Sequence, residues 1–293
     1  MKIKQSFGEK VFDIFNIIAL LFVCALILLP LAHVVAGSLS ETNALIHAKV
    51  TLWPVGFNLD NYILVFKNTT FWQSFLVTLF ITFVGTTINM LLTIFTGYPL
   101  SKGFLKGRKY FMLFIIFTMI FSAPMIPSYL LVKELGLLNS VWSLIVPGAV
   151  AAFNLILCIT FFRGLPEELF EAARVDGMNE YRVVAQIAMP LSMPIIVTLA
   201  LFYAVSHWNN YYSALLYITD PELRPLQLYL YNLLAQHDTS DTLAHMSSTI
   251  TYDISPQGLQ YATIIVATIP IVAIYPFIQK HFIKGAMIGS LKE

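Results

Sequence analysis

The sequence predicts an all-α membrane protein with six transmembrane helices, and three observations support this fold class. The first is composition: of 293 residues, 58% are hydrophobic and only 11% are charged. Soluble domains contain about 25% charged residues, so this chain has too few charges to cover a large water-exposed surface. The other two observations are the positions of the charged residues and the uneven distribution of the positive ones.

Six stretches without Asp, Glu, Lys or Arg are each long enough to cross a bilayer, which requires about 20 helical residues. As upper bounds on the helices within them, they cover residues 14–40, 68–101, 110–132, 135–162, 183–219 and 254–279. Backbone groups in lipid must hydrogen-bond to each other, so these stretches are predicted to be helices. Little chain remains outside them, and residues 1–293 are therefore expected to form a single transmembrane domain.

The distribution of Lys and Arg predicts that both termini lie on the cytoplasmic side. In this orientation the inner segments hold 13 of the 17 positive residues, and the outer segments hold only Lys49, Lys67, Lys133 and Arg224. Positive residues concentrate on the cytoplasmic side of membrane proteins. A cleaved signal peptide is the alternative for the first stretch, but its apolar region would be only about 7 to 15 residues long.

Composition and motifs argue against several classes of function. The net charge of +1 gives no basis for nucleic-acid binding. The dipeptide Gly-Lys is absent, and with it the common phosphate loop for nucleotides. Cys24 and Cys158 both lie in predicted spans, where a disulfide is not expected. No strong metal-ligand spacing is found among His237, Asp238, Asp241 and His245.

The inner segment 163–190, between the fourth and fifth predicted spans, predicts a helix, a corner and a second helix. Pro166 suits the first turn of a helix, Gly177 a left-handed stop and Asn179 the cap of the next helix. An apolar stripe is expected at Leu165, Leu169, Ala172 and Ala173.

This hairpin is more acidic than basic, with five carboxylates against three positive residues. Helices that rest on a membrane surface are usually rich in Lys and Arg, so the charge favours docking to a soluble protein, with the membrane surface as the alternative. Within the first helix, Glu171 and Arg174 are three residues apart and are expected to pair.

The hairpin also carries a motif, because Glu171-Ala172-Ala173, Gly177, Ile187 and Pro190 fit the pattern E-A-A-x3-G-x9-I-x-L-P. This pattern resembles the signature of membrane-spanning permease subunits of bacterial ABC importers, with Met189 in place of Leu. The resemblance implies a coupling helix in a groove of an ATP-binding subunit. The residues implied in this contact are Glu171, Ala172, Ala173, Asp176 and Gly177.

Further segments resemble the carbohydrate-uptake branch of this family, on the side of the maltose-type second permease. They are 136–142, 202–209, 224–227 and 275–290. More narrowly they are similar to the LplC and YtcP-like group and to second permeases of alginate importers. The resemblance implies an oligosaccharide substrate, acidic in the narrowest case, and a place in the bacterial inner membrane.

The same resemblance implies the partners: a homologous second permease, two ATP-binding subunits, an extracytoplasmic solute-binding protein and membrane lipid. ATP and Mg would be bound by the ATP-binding subunits, and no cofactor is expected on this chain, which is not expected to be an enzyme. The outer loop 220–253, with Arg224, would contact the solute-binding protein.

The fifth predicted span is unusually polar. If 203–217 is one continuous helix, Trp208 faces away from a polar side predicted to line the substrate path. The residues assigned to that path are Tyr203, Ser206, His207, Asn210, Tyr211, Ser213 and Tyr217. Polar groups in membranes normally face the bundle interior or water. Hydrogen bonding between helices is the alternative.

Two other transport functions compete with oligosaccharide import. An ABC permease for amino acids or peptides would share the hairpin motif. A stand-alone secondary transporter would need ionisable residues in its spans, where this chain offers only His33 and His207. No Lys or Arg lies in the six stretches, so guanidinium recognition of an acidic substrate would have to come from another subunit.

Overall fold

The computed structural model describes the backbone of residues 7–121, 123–244 and 255–290, and no side chains for 236–244, 275 and 277–290. The described residues contain no β-strand, only an isolated bridge between Ser40 and Phe57. The helices are α1 (Phe7–Ser38), α2 (Thr42–Ile46), α3 (Asp60–Lys67), α4 (Thr69–Ser101), α5 (Arg108–Ile120), α6 (Met125–Glu134), α7 (Ala152–Arg163), α8 (Glu167–Val175), α9 (Glu180–Val183), α10 (Met189–Leu191), α11 (Met193–Trp208), α12 (Tyr212–Tyr217), α13 (Leu226–Ala244) and α14 (Pro256–Ser290). Short 3-10 turns occupy Val141–Leu144 and Pro221–Leu223, and a π-helix occupies Val184–Ala188.

The all-α prediction is confirmed. By length and apolar composition, three described helices suffice to cross a membrane: Phe7–Ser38, Thr69–Ser101 and Pro256–Ile274. Two bent pairs, Arg108–Ile120 with Met125–Glu134 and Glu180–Leu191 with Met193–Trp208, raise the number to five if each pair is one span. The fourth predicted stretch contains α7, an apolar helix of 12 residues. The count of six and the orientation therefore stay predictions.

The chain divides into two compact units, the first formed by Met1–Thr69 and Asn232–Ile269. In this unit the apolar window of α1 has 0% of its residues buried, which suits a helix surrounded by lipid. A small hydrophobic core at the end of α1 consists of Ala36, Ala44, Leu45 and Val50, and Tyr261 packs against it.

The second unit, formed by Thr70–Tyr231 and Pro270–Glu293, contains the larger cores. One core joins α4, α7, α8 and α11 through Tyr98, Cys158, Phe162, Phe170, Ala173 and Tyr203. Another joins α4, α6, α12 and α13 through Ile81, Val132, Ala214, Tyr217 and Leu228. Helix α4 contributes to both cores and therefore runs through the whole unit.

The segment 163–190 folds as the predicted helix, corner and helix. Pro166 directly precedes α8, and Gly177 takes φ +75° at the corner. The side chain of Asn179 accepts a hydrogen bond from the Arg182 backbone N–H at 2.9 Å and so caps α9. The second helix continues through the π-helix into α10 and ends at Leu191.

Two details of the predicted hairpin are wrong. The buried residues of α8 are Phe170 and Ala173, whereas Leu169 is 43% exposed, because the large Phe170 ring fills the core beside α4. Arg174 does not pair with Glu171. Its Nε donates to Oε1 of Glu180 at 3.1 Å, because the corner brings the start of α9 back beside the end of α8.

The prediction of one continuous helix over 203–217 is also wrong, because residues 209–211 interrupt the helix between α11 and α12. Earlier in the same predicted span, a bend of 89° separates Glu180–Leu191 from Met193–Trp208. The Asn209 amide donates to the Val205 carbonyl at 3.0 Å, and Oδ1 of Asn210 accepts from the Ser213 N–H at 3.2 Å. Asparagine side chains compete in this way with the helical backbone bonds. Trp208 is 6% exposed and packs edge-on against Phe75.

Several sequence predictions lie outside the described residues. They include the histidine and aspartate side chains of 237, 238, 241 and 245, residues 245–253 of the predicted outer loop, the lysine side chains of 2, 4, 280, 284 and 292, and most side chains of the resembling segment 275–290. Among the residues that the structure does describe, no group of three or more His, Cys, Asp and Glu side chains could hold a metal ion. Cys24 and Cys158 are both free.

Candidate functional site

The hairpin presents one face to the exterior of the second unit. Glu171, Ala172 and Asp176 are exposed on this face, and Val175 is 87% exposed. Gly177 lies at its end, with nothing within 4 Å of where a Cβ would be. Ala173, by contrast, is 3% exposed and belongs to the core of this chain. The structure thus brings four of the five predicted hairpin residues to one surface and places Ala173 beneath it.

Charged side chains hold the inner face of the hairpin. Nζ of Lys102, at the end of α4, lies 2.8 Å from Oε2 of Glu167. Arg174 lies near the same carboxylate at 3.9 Å and donates to Glu180, a hydrogen bond that raises the pKa of Arg174. Tyr98 donates to the other oxygen of Glu180 at 3.0 Å. Two of the five carboxylates of the hairpin, Glu167 and Glu180, are therefore paired with side chains of this chain.

A polar cavity of about 400 Å³ lies in the second unit beside α4, α7 and α11. Six of the seven predicted path residues line it: Tyr203, Ser206, His207, Asn210, Ser213 and Tyr217. The seventh, Tyr211, is 42% exposed and stacks on Tyr231 at 5.5 Å between ring centroids, because the break in the helix turns it away. Although the helix is interrupted, six polar or aromatic residues of 203–217 still line the same cavity.

Hydrogen bonds within the cavity wall connect α11 to α4. The hydroxyls of Thr93 and Tyr203 are 2.7 Å apart, and the Tyr203 hydroxyl also accepts from the Ala151 N–H at 3.2 Å. Nδ2 of Asn89 lies 3.1 Å from Nε2 of His207, while Oδ1 of Asn89 is buried without a partner among the described residues. Part of the predicted polar side is therefore used in hydrogen bonding between helices, and its lining of a substrate path stays a prediction.

Sequence reasoning missed Asn89, Ser143 and Asn154, which also line the cavity. Asn89 and Asn154 lie in charge-free stretches, where an amide is costly unless it faces the interior of the helix bundle. An isolated Asn in such a stretch therefore could have indicated an inward-facing residue. All lining residues are uncharged when His207 is neutral. Hydroxyls, amides and aromatic rings suit a polyhydroxylated ligand, whose groups both donate and accept hydrogen bonds.

Arg224 lies just after the second 3-10 turn and donates to the Thr219 carbonyl at 3.4 Å. Asn139, which has φ +56°, holds the loop at Thr219 and Asp220 through hydrogen bonds. Its Oδ1 accepts from the N–H groups of Thr219 and Asp220 at 3.1 and 2.8 Å, and its N–H donates to the Tyr217 carbonyl.

Apolar helices around an uncharged polar cavity, together with a charged hairpin outside the apolar stretches, are the architecture of a multi-pass membrane permease. The chain matches the family model described as "Binding-protein-dependent transport system inner membrane component" over residues 12–287, and it belongs to that family. It is therefore a permease subunit of an ABC importer in the inner membrane and not an enzyme, as the sequence resemblance predicted.

Curated relatives agree over nearly the whole chain. Protein LplC of Bacillus subtilis (strain 168) is 45% identical over 97% of this chain and 95% of its own length. The polygalacturonan/rhamnogalacturonan transport system permease protein YtcP of the same organism is 41% identical over 97% of this chain and 99% of its own. A chain from the crystal structure of a bacterial ABC transporter involved in the import of the acidic polysaccharide alginate is also similar. It has a TM-score of 0.88 and 30% identity, covering 96% of this chain and 100% of that one.

Proposed function

We propose that this permease subunit conducts acidic oligosaccharides, derived from pectin or alginate, across the inner membrane. The observation that supports the proposal most directly is the uncharged polar cavity beside α4, α7 and α11. A sugar ring needs hydroxyl and amide partners and an aromatic face, all of which this wall offers. The named relatives YtcP and the alginate transporter handle acidic polysaccharides, which supports the narrower substrate class.

The cavity wall would bind the hydroxyl edges of the substrate and not its carboxylates. None of its lining residues is Lys or Arg, and bidentate carboxylate recognition normally requires a guanidinium. Recognition of the acid group would then fall to the second permease or the solute-binding protein. Tyr203, Ser206, His207, Asn210, Ser213 and Tyr217 would contribute to the path, whereas Tyr211 stays outside it in this conformation.

The chain would act with a homologous second permease, two ATP-binding subunits and an extracytoplasmic solute-binding protein. ATP and Mg would be held by the ATP-binding subunits, with no cofactor on this chain. The exposed face of the hairpin, with Glu171 and Ala172 on α8 and Asp176 and Gly177 at the corner, would dock to an ATP-binding subunit. Arg224 and its loop would face the solute-binding protein. Closure of the ATP-binding subunits would then shift the permease pair between two states of access.

Amino-acid or peptide import is the alternative substrate class, and a stand-alone secondary transporter is not favoured, because the family is dependent on a binding protein. The complete importer, reconstituted in proteoliposomes with its binding protein, separates these substrates. Oligogalacturonate or alginate oligosaccharide should stimulate its ATPase activity and enter the vesicles, whereas a neutral arabino-oligosaccharide and an oligopeptide should not. Stimulation by the peptide alone would contradict the proposal.

The cavity has a matched test in the same vesicles. Asn154→Ala removes an amide from its wall, and Tyr211→Phe removes a hydroxyl outside it. We expect the first variant to raise the KM for the transported sugar about tenfold, the equivalent of about 1.4 kcal/mol of lost binding, while the second leaves the KM unchanged. Equal effects of the two variants would contradict this placement of the path.

A further inference from the structure

The last turn of α4 contacts both helices of the hairpin. Tyr98 lies in the last turn of α4, and Lys102 directly follows the helix, which ends at Ser101. Lys102 forms its ion pair with Glu167, the first residue of α8, and Tyr98 donates to Glu180, the first residue of α9. The end of α4 and the residue after it therefore contact the first residues of both α8 and α9.

Lys102 is buried, unlike the solvated lysines that set membrane orientation. Its residue exposure is 3%, and its Nζ lies 3.3 Å from the ring centroid of Phe170. A buried ammonium needs a counter-charge, which Glu167 supplies, and the aromatic face adds attraction. The position of the ammonium is thus fixed from two directions, and both partners belong to α8.

Arg174 connects these two contacts to each other. It lies 3.1 Å from Glu180 and 3.9 Å from Glu167, so each carboxylate is shared between α4 and the last turn of α8. Movement of α8 away from α4 would break the Lys102–Glu167 ion pair and expose the Phe170 ring. The hairpin and the end of α4 are therefore expected to move together.

The same helix reaches the polar cavity further along. Thr93 and Asn89 bond to Tyr203 and His207 in the cavity wall. Asn89 is 13 residues before Lys102, a distance of about 20 Å along a helix. Residues 89–101 between these positions are all helical, with Pro99 in the last turn. Coupling between distant sites is carried by packed secondary elements, and α4 is the element that joins these two.

We propose that α4 transmits movement of the hairpin to the polar cavity, and that Lys102 is the positioning residue that fastens α4 to α8. The proposal rests on the proposed docking of α8 to an ATP-binding subunit. It adds a defined path from that contact to the substrate, carried by the Lys102–Glu167 ion pair and the Tyr98–Glu180 hydrogen bond.

The test uses cysteine labelling in the complete reconstituted importer, in a Cys24→Ser background. Cys158 is kept because it is 0% exposed. A water-soluble maleimide is the probe, at Ser206→Cys in the cavity wall and at Val175→Cys on the exposed hairpin face. Labelling rates are compared without nucleotide and after trapping with ATP and vanadate.

In the background protein, trapping should change the rate at position 206 about fivefold or more, the low end of allosteric coupling. Lys102→Met should abolish this change while position 175 stays protected by the ATP-binding subunit. Lys102→Arg should restore the response, and Lys106→Met, at an exposed lysine of the same loop, should behave as the background. If Lys102→Met does not assemble, Glu167→Gln replaces it, with exposed Glu168→Gln as its control.

A full nucleotide response at position 206 in the Lys102→Met and Glu167→Gln variants would overturn the proposal. So would the absence of any response in the background protein, because α4 would then carry no movement to the cavity. Failure of the docking proposal has a different signature: position 175 would be labelled equally fast with and without the ATP-binding subunits.

Discussion

Nδ2 of Asn89 lies 3.1 Å from Nε2 of His207, and this contact joins α4 to α11 at the wall of the polar cavity. With the amide donating, Nε2 is the unprotonated nitrogen of the imidazole. Gly85, one turn earlier on α4, leaves room for the ring. A Cβ at position 85 would lie 2.6 Å from Nε2 and 2.8 Å from Cε1 of His207.

Gly85→Ala should therefore displace the His207 ring and break its contact with Asn89. We expect a loss of about 1–3 kcal/mol in the free energy of unfolding, as for other overpacked sites, together with slower uptake. Thermal unfolding of the purified complex and transport assays measure the two effects. Gly103→Ala is the control, because nothing lies within 4 Å of a Cβ there. Unchanged unfolding and uptake in the Gly85→Ala variant would show that the ring does not need this space.

Tyr203→Phe should weaken the cavity wall, because it removes a hydroxyl that bonds to Thr93 and accepts from the Ala151 N–H. Leaving such buried groups unpaired costs about 1–3 kcal/mol. We expect a lower melting temperature and reduced uptake. Tyr211→Phe, which removes an exposed hydroxyl from a stacked ring, should change neither. Equal melting temperatures for both variants would contradict the role given to the Tyr203 hydroxyl.

Gly177→Ala tests the corner of the hairpin. Its φ of +75° is left-handed, a conformation that costs an L-residue about 1–2 kcal/mol. Since a Cβ would meet nothing, the expected effect is backbone strain without a clash, seen as transport that falls more than ATPase activity. Asn tolerates this conformation better, so Gly177→Asn should be milder than Gly177→Ala. The reverse order would indicate that contact with a partner decides the effect at this position, not φ.

Asn139→Ala and Asn139→Gly test the loop that leads to Arg224. Both remove the side-chain bonds to Thr219 and Asp220, each worth about 1 kcal/mol. Only Ala also adds strain at φ +56°. We expect weaker binding of the solute-binding protein in both variants and a larger effect in Ala, measured as the binding-protein concentration that half-stimulates the ATPase. No change in either variant would remove this loop from that contact.

Local signals in the sequence predicted the hairpin well, because its limits depend on neighbouring residues. Gly177 takes a left-handed conformation and Asn179 caps the following helix, both as predicted. The inner face of α8 was predicted less well. Its burial is decided by Phe170, which packs on Tyr98, a residue far away in the sequence. Spacing within one helix carries no information about such a contact.

The polar cavity was predicted from one of its sides only. Residues of α11 and α12 were found because they cluster in the sequence, whereas Asn89 and Asn154 come from α4 and α7 and stand alone there. Lys102 was also misjudged from the sequence. It precedes positive residues at 106, 108 and 109, so it was counted among the solvated charges that set membrane orientation, yet it is 3% exposed. Only tertiary structure distinguishes it from its neighbours.

Docking of α8 to an ATP-binding subunit is the contact on which the coupling mechanism depends. It is tested most directly by placing a photo-crosslinking amino acid at Val175, which is 87% exposed on α8, in the assembled importer. Illumination should join the chain to the ATP-binding subunit, whereas the same amino acid at Lys49, exposed in the other unit, should give no such product. Equal yields at the two positions, or no product at Val175, would contradict coupling through this hairpin.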